Sequence, residues 1–179
     1  EFTVTSSAKS YPAVITTENT TVKLSTAIEY VTSINTTVAT ATTLVINAKA
    51  NEGYGNTKVK FEVTSGSASI NVVEDETGVY TATISDFTAT FEVKVSANPN
   101  AYTLTINPNG GKYGDVSATT DINRNFGETV ILETPVRTGW TFLGWTESSV
   151  DFGDLTKAED GTYSYKFGAG DETLTANWQ

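Results

Sequence analysis

The sequence predicts an all-β, or mainly β, chain built as two modules in series. Three observations predict it. Apolar residues recur at every second position, clusters of Gly, Asn, Asp and Ser separate those runs, and the composition changes once, near residue 98. Helical spacing is nearly absent; its best case, Ala27, Ile28, Val31 and Ile34, is short, Thr-rich and β-branched.

In the first module the alternating runs are Leu44-Ile46-Ala48, Val59-Phe61-Val63, Tyr80-Ala82-Ile84 and Phe87-Ala89-Phe91-Val93-Val95. Successive strand side chains point to opposite faces, so each run lines one face of a half-buried strand. Turn signals lie between them: Asn51-Glu52-Gly53 with Gly55-Asn56, Ser65-Gly66-Ser67, and Asp75 to Gly78. Strands at this spacing suggest a sandwich over residues 1–98. The first ~25 residues are read as extra strands of that sandwich or as the tail of a preceding domain. Ala97-Asn98-Pro99-Asn100 marks the boundary, because proline removes a ladder donor and holds its predecessor extended. Residues 99–101 are the expected linker.

The second module, residues 102–179, repeats the pattern. Tyr102-Leu104-Ile106 precede the turn Asn107 to Gly111, and Val130 and Leu132 precede Pro135. Tyr163-Tyr165-Phe167 precede the turn Gly168 to Asp171, and Leu174-Ala176-Trp178 close the chain. Large aromatics are expected to supply much of this small core.

The ordered motifs of this module carry a resemblance. They are Asn107-Pro-Asn-Gly-Gly111, Phe126-Gly-Glu-Thr-Val130, Pro135-Val-Arg-Thr-Gly-Trp-Thr-Phe-Leu-Gly-Trp145 and Leu174-Thr-Ala-Asn-Trp178. Residues 102–178 resemble the Listeria–Bacteroides repeat, the B-repeat of internalin surface proteins, with Trp140 where a tyrosine is usual. That resemblance implies a β-grasp-like module of bacterial secreted and surface proteins, adhesive or spacing in role, with no catalytic residues known. Glu76-Thr-Gly78-Val-Tyr80-Thr-Ala82 resembles the run entering strand F of bacterial immunoglobulin-like sandwiches. There Tyr80 would occupy the tyrosine corner, its hydroxyl bonded to nearby backbone. Glu76 stands for the usual Asp, Ala82 stands where the disulfide cysteine would be, and Phe61 replaces the strand C tryptophan.

The composition excludes several chemistries. The first module carries 6 Lys and 10 acidic residues, the second 5 Lys+Arg and 11, for a net charge of −10. A nucleic-acid binder needs a basic face to displace counterions, so nucleic acid is not an expected partner. With no His and no Cys, Ser-His-Asp, Cys-His and common zinc sites cannot form. No apolar run reaches a membrane-spanning length and no signal peptide or initiator methionine is present, so a fragment is expected whose targeting and anchoring segments lie elsewhere.

Each remaining candidate has a plain structural reading. The carboxylates Glu74-Asp75-Glu76, Asp151 with Asp154, and Glu159-Asp160 sit in turns, where solvated turn chemistry explains them. Asp151, Asp154, Glu159 and Asp160 could lend oxygens to calcium, but no complete calcium loop exists. Gly110-Gly111 and Gly168-Ala-Gly170 read as hairpin turns needing positive φ rather than phosphate cradles. Trp140, Trp145 and Trp178 could stack sugars, but read first as core; Tyr54, between Gly53 and Gly55, is the better exposed aromatic. Asn19-Thr-Thr21 and Asn35-Thr-Thr37 are formal sequons. No catalytic, cofactor-binding or metal residue is expected, and no cofactor.

The expected function is a non-catalytic extracellular module of a bacterial cell-surface or secreted protein, acting in adhesion or as a spacer. The expected partner is a protein or glycan of the host or cell envelope, met by a monomer that does not insert into membrane. The alternative is a carbohydrate-binding accessory module of a secreted enzyme.

Overall fold

A computed structural model describes residues 9–39, 42–55 and 58–179. Asn56, assigned to a turn above, lies outside the described residues. Every regular element described is a strand, so the chain is all-β. It divides into two compact units after Asn98.

The first unit holds eight strands. They are β1 (Ser10–Glu18), β2 (Thr20–Leu24), β3 (Ser33–Ala39), β4 (Leu44–Ala50), β5 (Lys60–Ser65), β6 (Ser69–Glu74), β7 (Tyr80–Ser85) and β8 (Phe91–Ser96). They form two four-stranded sheets, ordered β3-β1-β8-β5 and β2-β4-β7-β6. The pair β1/β8 is parallel; the other pairs are antiparallel. The alternation in the sequence becomes the shared core. Ile15, Phe91, Val93 and Val95 from one sheet meet Val22, Ile46, Ala82 and Ile84 from the other, all fully buried. Burial of the Val, Ile and Phe side chains among them stabilises by roughly 1.5–3 kcal/mol each.

The first described residues are strands of this sandwich. Residue Asn19, alone between β1 and β2, takes φ 57° and turns the chain from one sheet into the other. Asparagine tolerates this left-handed conformation better than most residues. Its side-chain amide donates to the Ala97 carbonyl at 3.4 Å, so the sequon nitrogen is already engaged. Pro12 pairs with Thr37 of β3, near the start of β1 and one residue before the ladder to β8 begins at Ala13. The helix-spaced set dissolves: Ile28 is 93% exposed, Val31 bridges Val22, and Ile34 belongs to β3. Ala89 is exposed, and β8 starts only at Phe91.

Turn chemistry at the β6–β7 hairpin is local. The Asp75 carboxylate accepts from Thr77 N at 2.8 Å, Thr77 Oγ1 at 2.7 Å and Val79 N at 3.0 Å. Those donors, the Thr77 hydroxyl foremost, hold its carboxyl below the ordinary aspartate value. Tyr80 is buried on β7, its hydroxyl meeting the Glu74 carboxylate and the Val59 backbone amide. Burial first, then Glu74, pushes that hydroxyl above its ordinary value.

The second unit holds seven strands. They are β9 (Ala101–Asn107), β10 (Thr120–Asn125), β11 (Thr129–Leu132), β12 (Phe142–Glu147), β13 (Gly153–Lys157), β14 (Tyr163–Phe167) and β15 (Glu172–Trp178). One sheet is ordered β10-β9-β15-β12, the other β11-β14-β13. At the centre of the first, β9 and β15 run parallel. Leu104, Ile106, Leu174 and Ala176 face Tyr165 and Phe167 across a core completed by Leu132 and Trp145. Phe142 is its aromatic hub, edge-on to Trp145 at 5.2 Å, Trp178 at 5.6 Å and Tyr163 at 6.0 Å. Such tilted pairs add to area burial.

Candidate functional site

In the second unit, two loops converge beside the end of β15. The loop after β9 and the loop before β12 are joined by a bridge between Lys112 and Val136, with N–H···O distances of 2.8 and 2.9 Å. At the other end, Thr141 and Gln179 exchange backbone hydrogen bonds at 2.8 and 3.0 Å. These ties hold open a cleft of about 860 Å³. Its floor is Gly111, Phe142 and Trp178; its rim carries Lys112, Arg137 and Trp140.

Glycine at 111 is a spatial necessity. A Cβ there would stand 2.5 Å from the Trp178 ring and 2.8 Å from the Val136 carbonyl oxygen. With the backbone so close, the indole Nε1 of Trp178 donates to the Pro108 carbonyl at 3.1 Å. The expectation that Gly110-Gly111 both serve positive φ is half right. Gly110 has φ 81°, while Gly111 is needed for close approach. Gly168 and Gly170 likewise lack positive φ and make room for Phe152, in a connection that crosses between sheets.

The rim sets an aromatic ring and two cations side by side. The Arg137 guanidinium carbon lies 4.2 Å from the centroid of the Trp140 ring, and its Nη1 donates to the Asn109 carbonyl at 3.4 Å. Trp140 remains 50% exposed. Its assignment to the core is therefore corrected: the turn from Arg137 to Trp140, with Gly139 at φ 79°, lifts the ring outward. Trp145 is buried as expected and Trp178 is half-buried. Tyr54 is also corrected, since it packs against the first unit's core despite its flanking glycines.

The sequence-predicted carboxylates do not assemble. Asp75 and Asp160 cap their own turns, Asp160 accepting from Thr162 N at 2.9 Å. Among the described residues no group of three acidic side chains is arranged to hold a metal ion. One carboxylate was not singled out by sequence. Glu172 is 3% exposed and accepts from Ser148 N and Thr173 N, both at 2.7 Å, with Ser148 Oγ and Ser149 N completing its shell. It pins the end of β12 to β15, and no motif marks it. Nearby, burial first and then Glu172 and Asp154 raise Glu147 above its ordinary value. Burial and the same carboxylates also raise the Tyr165 hydroxyl, which donates to the Phe152 carbonyl at 3.0 Å.

Comparison with protein-family models, curated proteins and solved structures finds no match to this chain. Among the described residues, no helix is long and apolar enough to cross a membrane.

Proposed function

We propose that the chain is a non-catalytic extracellular module of a bacterial cell-surface protein, acting in adhesion, with the cleft of the second unit as its contact face. The observation that carries this reading is the rim itself. A tryptophan half open to solvent, stacked by an arginine, stands over a preformed cleft. Large exposed aromatics joined to arginine are the side chains that dominate binding hot spots. In this reading the second unit is a Listeria–Bacteroides-type repeat. Its NGG, Pro135–Trp145 and terminal Trp178 segments all converge on the cleft, which supports treating them as one device. The first unit is read as an immunoglobulin-like sandwich, supported by its two facing four-stranded sheets.

The aromatic lining also favours a second reading, a carbohydrate-binding accessory module of a secreted enzyme. Both readings use the same cleft and differ in the parent protein. The test is an array of glycans and extracellular-matrix proteins probed with the intact chain and with Trp140→Ala. Saturable binding lost in the variant supports the contact face. Binding retained in full by the variant would place the contact face outside the cleft, and none by either would leave a spacer.

A further inference from the structure

The cleft has a charge opposite to that of its surroundings. The second unit holds 5 basic and 11 acidic residues. Two of the five bases, Lys112 and Arg137, line the cleft, and no carboxylate does. Among the described residues none of the unit's five bases forms an ion pair, so what sets these two apart is their place side by side in a lining without a carboxylate.

The arginine is also held ready. At 4.2 Å from the Trp140 ring, and with Nη1 donating to the Asn109 carbonyl, its planar fork is restrained, and Nε and Nη2 carry no hydrogen bond among the described residues. Such a fork matches a carboxylate in two parallel hydrogen bonds, and little rotamer freedom is left to lose. Around it the lining alternates a few aromatic surfaces with hydroxyls and main chain, at Ser117, Thr134, Thr138 and Gly110. That mixture suits a ligand with a ring to stack and many hydroxyls to satisfy. A peptide would instead call for separate apolar side-chain pockets. The volume of about 860 Å³ is within the range of small-ligand sites. Two cations side by side suit a ligand that presents one or two carboxylates to the cleft. A phosphate or sulfate polymer needs a row of cations.

We propose that this cleft binds a saccharide bearing a carboxylate, its ring against Trp140 and its carboxylate on Arg137 and Lys112. The proposal rests on the reading of the cleft as a contact face and names the ligand class it takes. The chemistry has two natural sources, uronate chains and sialylated termini.

The experiment is calorimetric titration of the intact chain with oligogalacturonate and with sialyllactose. Methyl-esterified oligogalacturonate and lactose serve as neutral counterparts, each at low and high salt. One acidic sugar is expected to bind, and which one identifies the source. Esterification or Arg137→Ala should weaken binding about tenfold, the factor that corresponds to one charge-assisted contact. Arg137→Lys should recover only part of it, Lys112→Ala should weaken binding and its salt dependence, and Lys166→Ala should change neither. Melting curves check that the rim variants stay folded. Equal binding of the neutral counterparts would overturn the carboxylate and leave a sugar-binding cleft. Failure of every saccharide, with Trp140-dependent capture of an array protein, would overturn the proposal and leave the contact face. No Trp140-dependent binding of any kind would overturn both.

Discussion

Trp140 and Trp145 lie five positions apart and have opposite fates, which makes them a test of what each side chain does. Trp145 is 8% exposed and packed between Tyr113 and Phe142. Its removal leaves a large cavity, so Trp145→Ala is expected to cost about 3–5 kcal/mol of unfolding free energy in urea titration. Trp140 is half exposed, so Trp140→Ala is expected to cost less than about 1 kcal/mol in the same measurement. Equal losses would return Trp140 to the core. At Gly111 the prediction runs through space instead. Gly111→Ala places a methyl against the Trp178 ring and the Val136 backbone, and is expected to cost roughly 2 kcal/mol while disturbing the cleft. Period and turn signals could not separate these tryptophans. Trp140 and Trp145 share one motif and both neighbour apolar residues; Trp140 closes the turn through Gly139, whereas Trp145 lies on β12 facing the core.

At the scale of elements, the second unit's β12 and β15 are tied by a buried carboxylate as well as by their ladder. Glu172 accepts four donors from Ser148, Ser149 and Thr173. Glu172→Ala orphans them and is expected to destabilise by about 3 kcal/mol, read from the urea midpoint. Glu147 sits close by on β12 and acts with the contrary sign. Burial, then Glu172 and Asp154, raise its folded-state value, so the folded chain holds its proton more tightly than the unfolded chain does. The penalty is complete above the folded value and absent below the unfolded one, so this group favours the fold as pH falls through that window. Glu147→Gln is therefore expected to raise the melting temperature at neutral pH, with the gain vanishing in acid; an equal gain at both would exclude the charge as cause. Asp75 has the opposite linkage, because its lowered value gives stability that is lost as pH falls through it. The strands with strict alternation, such as β4, β7 and β15, were legible because each buries one face. Edge strands such as β6 and β10 bury little and therefore carry no period to read. Glu172 was illegible for a different reason: its shell is mostly backbone amide and serine, which no side-chain motif encodes.

At the scale of the molecule, each unit encloses its own apolar cluster, the first drawn from β1 to β8 and the second from β9 to β15. The composition shift around Pro99 was therefore a readable trace of two separate cores, whereas strand order was not. The parallel pairs β1/β8 and β9/β15 join strands far apart in sequence, and nothing local encodes such partners. Those long-range pairs have a consequence for autonomy. In the second unit, β9 and β15 are neighbours at the centre of one sheet, so its first and last strands are both needed for the sheet to close. Residues 99–179 contain both, and with them every residue of the second core. A segment of this size without disulfides buries just enough surface to fold by itself. Expressed alone, residues 99–179 are expected to melt cooperatively and to keep the near-ultraviolet signature of their packed aromatics. Residues 108–179, lacking β9, are expected to lose both, because the sheet is broken at its centre rather than trimmed at an edge. A cooperative melt of the shorter piece would mean that the parallel pair is dispensable and that the aromatic cluster around Phe142 organises the unit without it.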